Sequence, residues 1–254
     1  MQRNIIHLPE TDSTNRYLHD MEISGSDVMT VAVADYQTAG KGQGTNRWES
    51  ERGKNLLVSV MLCHLPVEPT RQFLLSEAGA LAVGTALSSY TGGITLKWPN
   101  DIYYNDLKLS GTLIETSIGG TEIRRCIFGI GINVNQDVFR SDAPNPVSLR
   151  QILGHELSVD EVLAKVLDAM EQEMEPFFAS CYASVSERYH SMLYRREGYH
   201  WYRDEGGYFE AKIQAVEDDG HLLLADKSGL LRRYAFKEVE FRPHPQPLSR
   251  GRGE

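Results

Sequence analysis

The stretch whose residue types are best suited to chemistry covers residues 96–115, LKWPNDIYYNDLKLSGTLIE. Two lysines, Lys97 and Lys108, flank Asn100 and Asp101. The proline before Asn100 fixes its own φ and favours a turn, and apolar residues alternate on both sides of that turn, which predicts strands. A turn with charged and amide groups suits the binding of an anion, whereas the plain alternative is a solvated polar hairpin.

A second stretch, residues 36–48, reads YQTAGKGQGTNRW and is also cationic. It lacks the Gly-Lys-Ser/Thr ending of a P-loop, and no apolar Rossmann-type helix follows it. Glycine amides can nevertheless approach a phosphate closely because no Cβ intervenes, and Lys41 and Arg47 supply charge. Together the two stretches predict a phosphate-handling pocket, with an exposed flexible hairpin as the alternative for the glycine loop.

Several common catalytic arrangements are absent from the sequence. We find no HExxH, no GxSxG, no Cys/His dyad at a recognisable spacing and no carboxylate pair of the glycosidase type. Metal-dependent hydrolysis and acyl-enzyme chemistry therefore lack their usual groups. A reaction that needs no protein nucleophile fits better.

These stretches and two further motifs resemble the biotin protein ligases, also called biotin–[acetyl-CoA-carboxylase] ligases. Each motif alone is weak, but together and in the family's order they are highly specific. The motifs are Asp12-Ser13-Thr14-Asn15, the loop from Gln37 to Trp48, Lys97 to Asp101, Lys108-Leu109-Ser110-Gly111 and Gly129-Ile130-Gly131-Ile132-Asn133-Val134-Asn135.

The resemblance implies an ATP-dependent ligase that forms biotinyl-5'-AMP and transfers biotin to a lysine of a biotin carboxyl carrier domain. ATP and biotin would be substrates, and Mg²⁺ would bind through the ATP phosphates. Such catalysis relies on positioning and fixed cations, so Lys108 is the expected electrostatic catalyst, with Asp101 beside it. Whether Asn100 and Asp101 serve ATP, magnesium or the incoming lysine stays open at this point.

The resemblance also assigns binding residues. The biotin site would contain Ser13, Thr14, Asn15, Gln37, Gly40, Lys41, Gly42, Gln43, Lys108 and Gly111. The ATP and adenylate site would contain Lys41, Gln43, Arg47, Trp48, Asn100, Asp101 and Asn133. Plain alternatives are helix capping for residues 13–15 and a turn amide for Asn133. Many relatives read Gly-Arg-Gly-Arg in the loop, whereas this chain has Gly40-Lys41-Gly42-Gln43.

Two other functions are weighed against this one. A lipoate or octanoate ligase or transferase would share the fold, but the Lys97 to Asp101 motif together with the glycine loop favours biotin. A non-catalytic biotin-sensing regulator would need a DNA-binding element, and we expect none because the first motif begins at Asp12. A net charge of −9 also argues against nucleic acid as the main partner.

The composition is that of an ordinary globular protein. The 254 residues are 41% hydrophobic and 24% charged, and their apolar runs are too short to span a membrane. The first residues lack the apolar core of a secretory signal, so we expect a cytoplasmic location. Cys63, Cys126 and Cys181 have no metal-ligand spacing and are expected to be buried, reduced thiols. The sequence leaves open whether the chain is a monomer or a homodimer.

The patterning predicts an α+β fold with a mixed sheet flanked by helices, which by resemblance is the catalytic domain of class II aminoacyl-tRNA synthetases and biotin ligases. We expect this domain over residues 1–193, a small SH3-like β-barrel over 194–241 and a disordered tail over 242–254. By the same resemblance the barrel closes over the ATP end of the site, with Lys237 as a candidate contact. Strands are predicted at 4–8, 29–35, 55–62, 94–96, 109–116, 123–134, 208–215, 221–226 and 230–236. Helices are predicted at 13–21, 71–90, 158–176 and 179–193, with Ser158 and Glu161 as a capping box and Pro176 as a kink or stop.

Overall fold

The computed structural model describes residues 1–22, 25, 27–44, 46–140, 145–179 and 181–242. The chain divides into two compact units, Met1–Tyr194 and Arg195–Glu254. The strands of the first unit are β1 Gln2–Leu8, β2 Val28–Ala34, β3 Leu56–Leu65, β4 Ile94–Lys97, β5 Asp101–Tyr104, β6 Leu107–Gly119 and β7 Glu122–Ile132. Its helices are α1 Thr14–His19, α2 Phe73–Ser88, α3 Leu149–Leu153, α4 Val159–Phe178 and α5 Ser184–Ser191, with a 3₁₀ turn at Pro69–Arg71.

The seven strands form one mixed sheet in the order β1-β2-β3-β7-β6-β5-β4. The β1–β2 pair is parallel and the other pairs are antiparallel. Nearly every residue of β3 is buried because the strand is central and covered on both faces. The predicted mixed sheet with flanking helices is confirmed.

Helices cover the two faces of the sheet. On one face Gly79 of α2 lies so near Phe128 that an added Cβ would be 2.9 Å from its ring. On the other face Leu18 of α1 packs with Met61, Cys63 and Ile127. Side chains alternate between faces along a strand, so Ser59, Gly129 and Gly131 lie on the α1 face. The motif glycines Gly129 and Gly131 therefore lie on the same face of the sheet as α1.

One predicted helix end is wrong, and one helix was not predicted. Pro176 does not end α4, which continues to Phe178. The Ser158 side chain caps α4 by accepting from the Glu161 amide at 3.3 Å, which is one of the two hydrogen bonds of the predicted capping box. An unpredicted helix, α3, begins with a full capping box between Ser148 and Gln151.

The cysteine prediction is right for two thiols and wrong for the third. Cys63 and Cys126 are buried in β3 and β7, and burial raises the pKa of the Cys126 thiol. Cys181 is exposed because it lies in the connection between α4 and α5, outside either helix. All three are free thiols.

The strand prediction missed β5. Residues 98–100 make the turn, and Asp101 already begins a strand that pairs with Lys97 on one side and Gly111 on the other. The polar Asn100-Asp101 pair hid this short strand, whose following residues, Ile102 to Tyr104, have high β-propensity.

The second unit contains an antiparallel sheet in the order β11-β10-β9-β8-β12. Its strands are β8 His200–Asp204, β9 Gly207–Val216, β10 Leu222–Asp226, β11 Leu231–Tyr234 and β12 Glu240–Phe241. The strands β8 and β12 were not predicted. The fully buried Tyr202 packs against Phe209 and Phe241 at the centre of this unit. Within the described residues β11 and β12 are the edges of the sheet, so barrel closure stays a prediction.

Two further predictions concern the chain as a whole. Of the predicted tail, Arg242 is described and its amide donates to Trp201 O at 3.0 Å, whereas residues 243–254 lie outside the described part. In the described part of the chain, no helix combines the length and apolarity that a membrane crossing requires.

Candidate active site

The floor of the candidate site is a patch of glycines on β6 and β7. Gly111 and Gly131 are direct cross-strand partners, and Gly129 follows along β7. An added Cβ on Gly131 would be 2.4 Å from Trp48 Cε2, and one on Gly111 would be 3.2 Å from Trp48 Cζ3. The absence of side chains therefore lets the Trp48 indole lie directly on the sheet.

The glycine loop folds back on itself before it reaches Trp48. The Gly42 amide donates to Asn46 O at 2.8 Å, and the Trp48 amide donates to Gly40 O at 3.0 Å. A Cβ on Gly40 would be 2.9 Å from Trp48 O, which explains a glycine at this position. The backbones of Lys41 and Arg47 form an isolated antiparallel β-bridge across the base of the loop, and both side chains are exposed.

An ion cluster lies beside the glycine floor. Lys108 Nζ is 2.6 Å from Asp101 Oδ1, and Lys97 Nζ is 3.9 Å from Asp101 Oδ2. The side chains of Lys97, Asp101 and Lys108 are 18%, 14% and 21% exposed, so solvent screens them only partly. Both ammonium groups face the one carboxylate, and the Trp48 ring centre is 5.9 Å from Lys108 Nζ.

The backbone around Lys108 is held from both sides. The Lys108 amide donates to Asn145 O at 2.8 Å, and its carbonyl accepts from Val147 N at 2.9 Å. The buried Asn133 donates from Nδ2 to Val147 O at 3.1 Å, which fixes the segment that pairs with Lys108. Asn100 is likewise fixed, because its Nδ2 donates to Thr112 O at 2.6 Å.

A chain of polar side chains crosses the α1 face of the sheet, and we call it the polar relay. It consists of Gln37, Thr14, Ser59, Asn15 and Glu115. Gln37 Oε1 lies 2.7 Å from Thr14 N and 3.1 Å from Thr14 Oγ. Ser59 Oγ lies 2.7 Å from Thr14 Oγ and 2.6 Å from Asn15 Oδ1. Asn15 Nδ2 donates to Glu115 Oε2 at 2.7 Å.

The relay answers the question of capping for residues 13–15. Ser13 occupies the N-cap position of α1, but its side chain makes no capping hydrogen bond. Thr14 and Asn15 are buried, and their side chains belong to the relay instead. A Cβ on Gly129 would be 2.1 Å from Asn15 Oδ1, so this glycine makes room for the asparagine.

The structure brings most of the expected site residues into two groups on one face. The first group is the ion cluster with its neighbours Asn100, Gly111 and Trp48. The second group is the relay, which contains Thr14, Asn15 and Gln37. Lys41, Gln43 and Arg47 lie on the loop, and within the described residues neither Lys41 nor Arg47 pairs with Asp101. Sequence reasoning missed Ser59 and Glu115. A lone serine inside the apolar run of β3 was the signal for Ser59.

Comparisons with known proteins show which family the sequence resembles. The model of the biotin/lipoate A/B protein ligase family matches residues 8–133. The chain is 29% identical over 243 residues to the bifunctional ligase/repressor BirA of Bacillus spizizenii, covering 92% of this chain and 73% of the relative. It is 30% identical over 165 residues to the biotin–[acetyl-CoA-carboxylase] ligase of Paracoccus denitrificans, covering 61% of this chain and 67% of the relative.

A solved structure is also similar to this chain in fold. The biotin protein ligase of Aquifex aeolicus in complex with biotin and ATP superposes with a TM-score of 0.75 at 28% identity. That similarity covers 94% of this chain and 99% of the other.

Proposed function

The chain belongs to the biotin/lipoate A/B protein ligase family, and from this premise we propose that it is an ATP-dependent biotin–protein ligase. The observation that carries the proposal is the Lys108–Asp101 ion pair beside the glycine floor. It places a fixed cation beside the Trp48 indole, which lies on the glycine floor.

In the proposed first step, an oxygen of the biotin carboxylate attacks the α-phosphorus of ATP. The bond between that phosphorus and the bridging oxygen of the β-phosphate breaks, so biotinyl-5'-AMP forms and pyrophosphate leaves. Negative charge accumulates on the phosphate oxygens in this step. Lys108 is proposed to stabilise this charge, because a preorganised cation in a partly desolvated site acts without reorganising solvent.

In the second step, the neutral amine of a lysine on the acceptor attacks the acyl carbon of the mixed anhydride. An amide bond forms, the bond from the acyl carbon to the phosphate oxygen breaks, the amine loses a proton and AMP leaves. We propose that Asp101 orients Lys108 in both steps and that the exposed Lys41 and Arg47 meet the phosphate from the loop. The proposed acceptor is the biotin carrier domain of a carboxylase.

The residues at the ion cluster also fit Mg²⁺ carried by ATP. Hard cations prefer carboxylate and amide oxygens, and Asp101 offers a carboxylate. Asn100 commits its Nδ2 to Thr112 O, so Oδ1 is the atom that it can offer as a ligand. When bound, Mg²⁺ would shield the charge of the polyphosphate.

For the second unit we propose an SH3-like module, supported by its short antiparallel strands and its own aromatic core. Its expected contribution through Lys237 stays a prediction, as does the cytoplasmic location.

The proposal is tested by incubating the purified protein with ATP and labelled biotin and measuring pyrophosphate release and labelled adenylate. A carboxylase carrier domain is then added, and the label should move to it. Labelled lipoate is tested in a parallel reaction. Adenylation of lipoate in preference to biotin would indicate a lipoate ligase. Binding of biotin without pyrophosphate release would instead support a non-catalytic sensor.

A further inference from the structure

The hydrogen bonds of the polar relay have a fixed direction at the Glu115 end. Asn15 Nδ2 lies 2.7 Å from Glu115 Oε2 and 3.4 Å from Leu113 O. An ionised carboxylate and a carbonyl only accept hydrogen bonds, so the amide nitrogen must lie on that side. The amide oxygen Oδ1 consequently lies towards Ser59.

The direction passes from Asn15 to Ser59 and then to Thr14. Ser59 has one hydroxyl proton but lies within hydrogen-bond distance of both Asn15 Oδ1 and Thr14 Oγ. Because an amide oxygen cannot donate, the Ser59 proton goes to Asn15. The proton between Ser59 and Thr14 must then come from the Thr14 hydroxyl. Ser59 is completely buried, so water does not offer it another partner.

At the other end of the relay this leaves two acceptors side by side. The Thr14 amide donates to Gln37 Oε1 at 2.7 Å, which fixes the orientation of the Gln37 amide. Thr14 Oγ lies 3.1 Å from the same oxygen, but its proton is directed to Ser59. Thr14 Oγ and Gln37 Oε1 can therefore both accept from a single N–H group of a ligand.

We propose that Glu115 is a positioning residue that sets this direction and so makes the pocket select a substrate ring with an N–H donor. The inference rests on the proposed function, in which the substrate is biotin. The cyclic urea of biotin carries N–H groups, whereas the dithiolane ring of a lipoyl-type substrate has none. A site built to bind a donor rejects an analogue that lacks it, because its acceptors are left unpaired.

Without the carboxylate the relay can reverse. The Asn15 amide nitrogen then keeps only the longer bond to Leu113 O, and its oxygen keeps the bond from Ser59. The nitrogen side is held less firmly, so the amide can turn and present its nitrogen to Ser59. Ser59 can then donate to Thr14, and Thr14 to Gln37 Oε1. Gln37 Oε1 then accepts from the Thr14 hydroxyl, so an N–H group of the ligand adds less binding free energy at this pair of acceptors.

The test compares equilibrium binding of biotin with that of biotin methylated on both ureido nitrogens. The wild type should prefer biotin, and Glu115→Leu should reduce that preference by about tenfold, the value of one hydrogen bond. Glu115→Gln should fall between them, because its amide oxygen still accepts from Asn15 while its nitrogen also permits the reversed chain. The KM for ATP should not change in either variant.

Ser110→Ala is the matched control. It removes a buried hydrogen bond from Ser110 Oγ to Gly131 O, 2.8 Å long, in the same sheet but outside the relay. It should lower Tm and leave the preference ratio at the wild-type value. A wild-type ratio in Glu115→Leu would overturn the role of Glu115. Failure of the wild type to bind biotin at all would instead overturn the proposed function.

Discussion

At the scale of single residues, the candidate site is dominated by one carboxylate that faces two ammonium groups. Asp101 lies 2.6 Å from Lys108 and 3.9 Å from Lys97, and all three side chains are largely buried. The shorter contact orients the Lys108 ammonium beside the glycine floor. Such a cluster is suited to a triphosphate, whose negative charge would otherwise be costly to desolvate.

Removal of the Lys108 ammonium should affect chemistry more than folding. We expect Lys108→Ala to slow adenylation by about 10²–10³-fold, the usual effect of losing one preorganised electrostatic group. Asp101 retains Lys97 nearby, so the change in Tm should be small. The measurement is pyrophosphate release at saturating biotin and ATP.

Lys54→Ala is the control, because Lys54 pairs with Glu156 at 3.2 Å outside the site. It should release pyrophosphate at the wild-type rate. Near-normal release by Lys108→Ala would contradict the role given to Lys108.

Gln43 provides a second prediction at this scale. An arginine at position 43 could hold a phosphate or carbonyl oxygen through two charge-assisted hydrogen bonds, which the neutral amide cannot do. We expect Gln43→Arg to slow the dissociation of preformed biotinyl-5'-AMP, with a gain of about 1 kcal/mol because the loop must be ordered to make the contact.

The rate is measured on both proteins together with labelling of a bystander protein that has no carrier domain. Slower dissociation should be accompanied by less bystander labelling. Identical rates and labelling would mean that position 43 does not face the intermediate.

The sequence was informative about single residues where motifs exist and silent elsewhere. Lys108 and Asp101 were conspicuous as charges in a short stretch, whereas Gly111 entered the predicted site through the family resemblance. Ser59 and Glu115 were missed because each is one polar residue in a strand, and only the register of the sheet brings them to Asn15. Long-range pairing of this kind leaves little trace in a single sequence.

At the scale of elements, the glycines of β6 and β7 determine where the loop can rest. Gly131→Ala would place a Cβ 2.4 Å from the Trp48 ring, so the indole must move. Overpacking of this kind costs about 1–3 kcal/mol, and a cost of that size corresponds to a loss of kcat/KM for adenylation of about 5- to 150-fold. A change in tryptophan fluorescence should accompany it.

Gly92→Ala is the matched substitution, because an added Cβ there meets nothing within 4 Å. It should leave both activity and fluorescence unchanged. If Gly131→Ala retained full activity, Trp48 would not need its place on the glycine floor.

Elements were predicted well where periodicity is long and poorly where it is short. The strands β6 and β7 and the helix α4 follow clear patterns, β3 and α2 are long apolar stretches, and the existence of all five is confirmed. The strands β5, β8 and β12 are short, and their neighbours carry polar or charged residues, so the local pattern did not distinguish them from turns. Tertiary pairing decides such segments.

At the scale of the whole molecule, the division into two units gives a defined point for truncation. Tyr194 belongs to the first unit, where its ring lies 5.1 Å from that of Tyr103. A chain ending at Tyr194 therefore keeps its own core. We expect this fragment to ligate biotin less well at matched ATP, since the family resemblance assigns the second unit a role at the ATP end.

Deletion of residues 243–254 is the control and should leave turnover unchanged. It spares Arg242, whose carbonyl accepts from Arg195 Nη1 at 2.8 Å. Full turnover by the fragment ending at Tyr194 would refute a role for the second unit in ligation.

A biotin ligase of this kind couples ATP cleavage to the activation of biotin. The most direct measurement is the amount of labelled biotinyl-5'-AMP formed by the full chain from ATP and labelled biotin, with labelled lipoate in a parallel reaction. We predict adenylate and equimolar pyrophosphate with biotin, transfer of the label when a carboxylase carrier domain is added, and little product with lipoate. Adenylation of lipoate in preference to biotin, or no adenylate from either acid, would contradict the account.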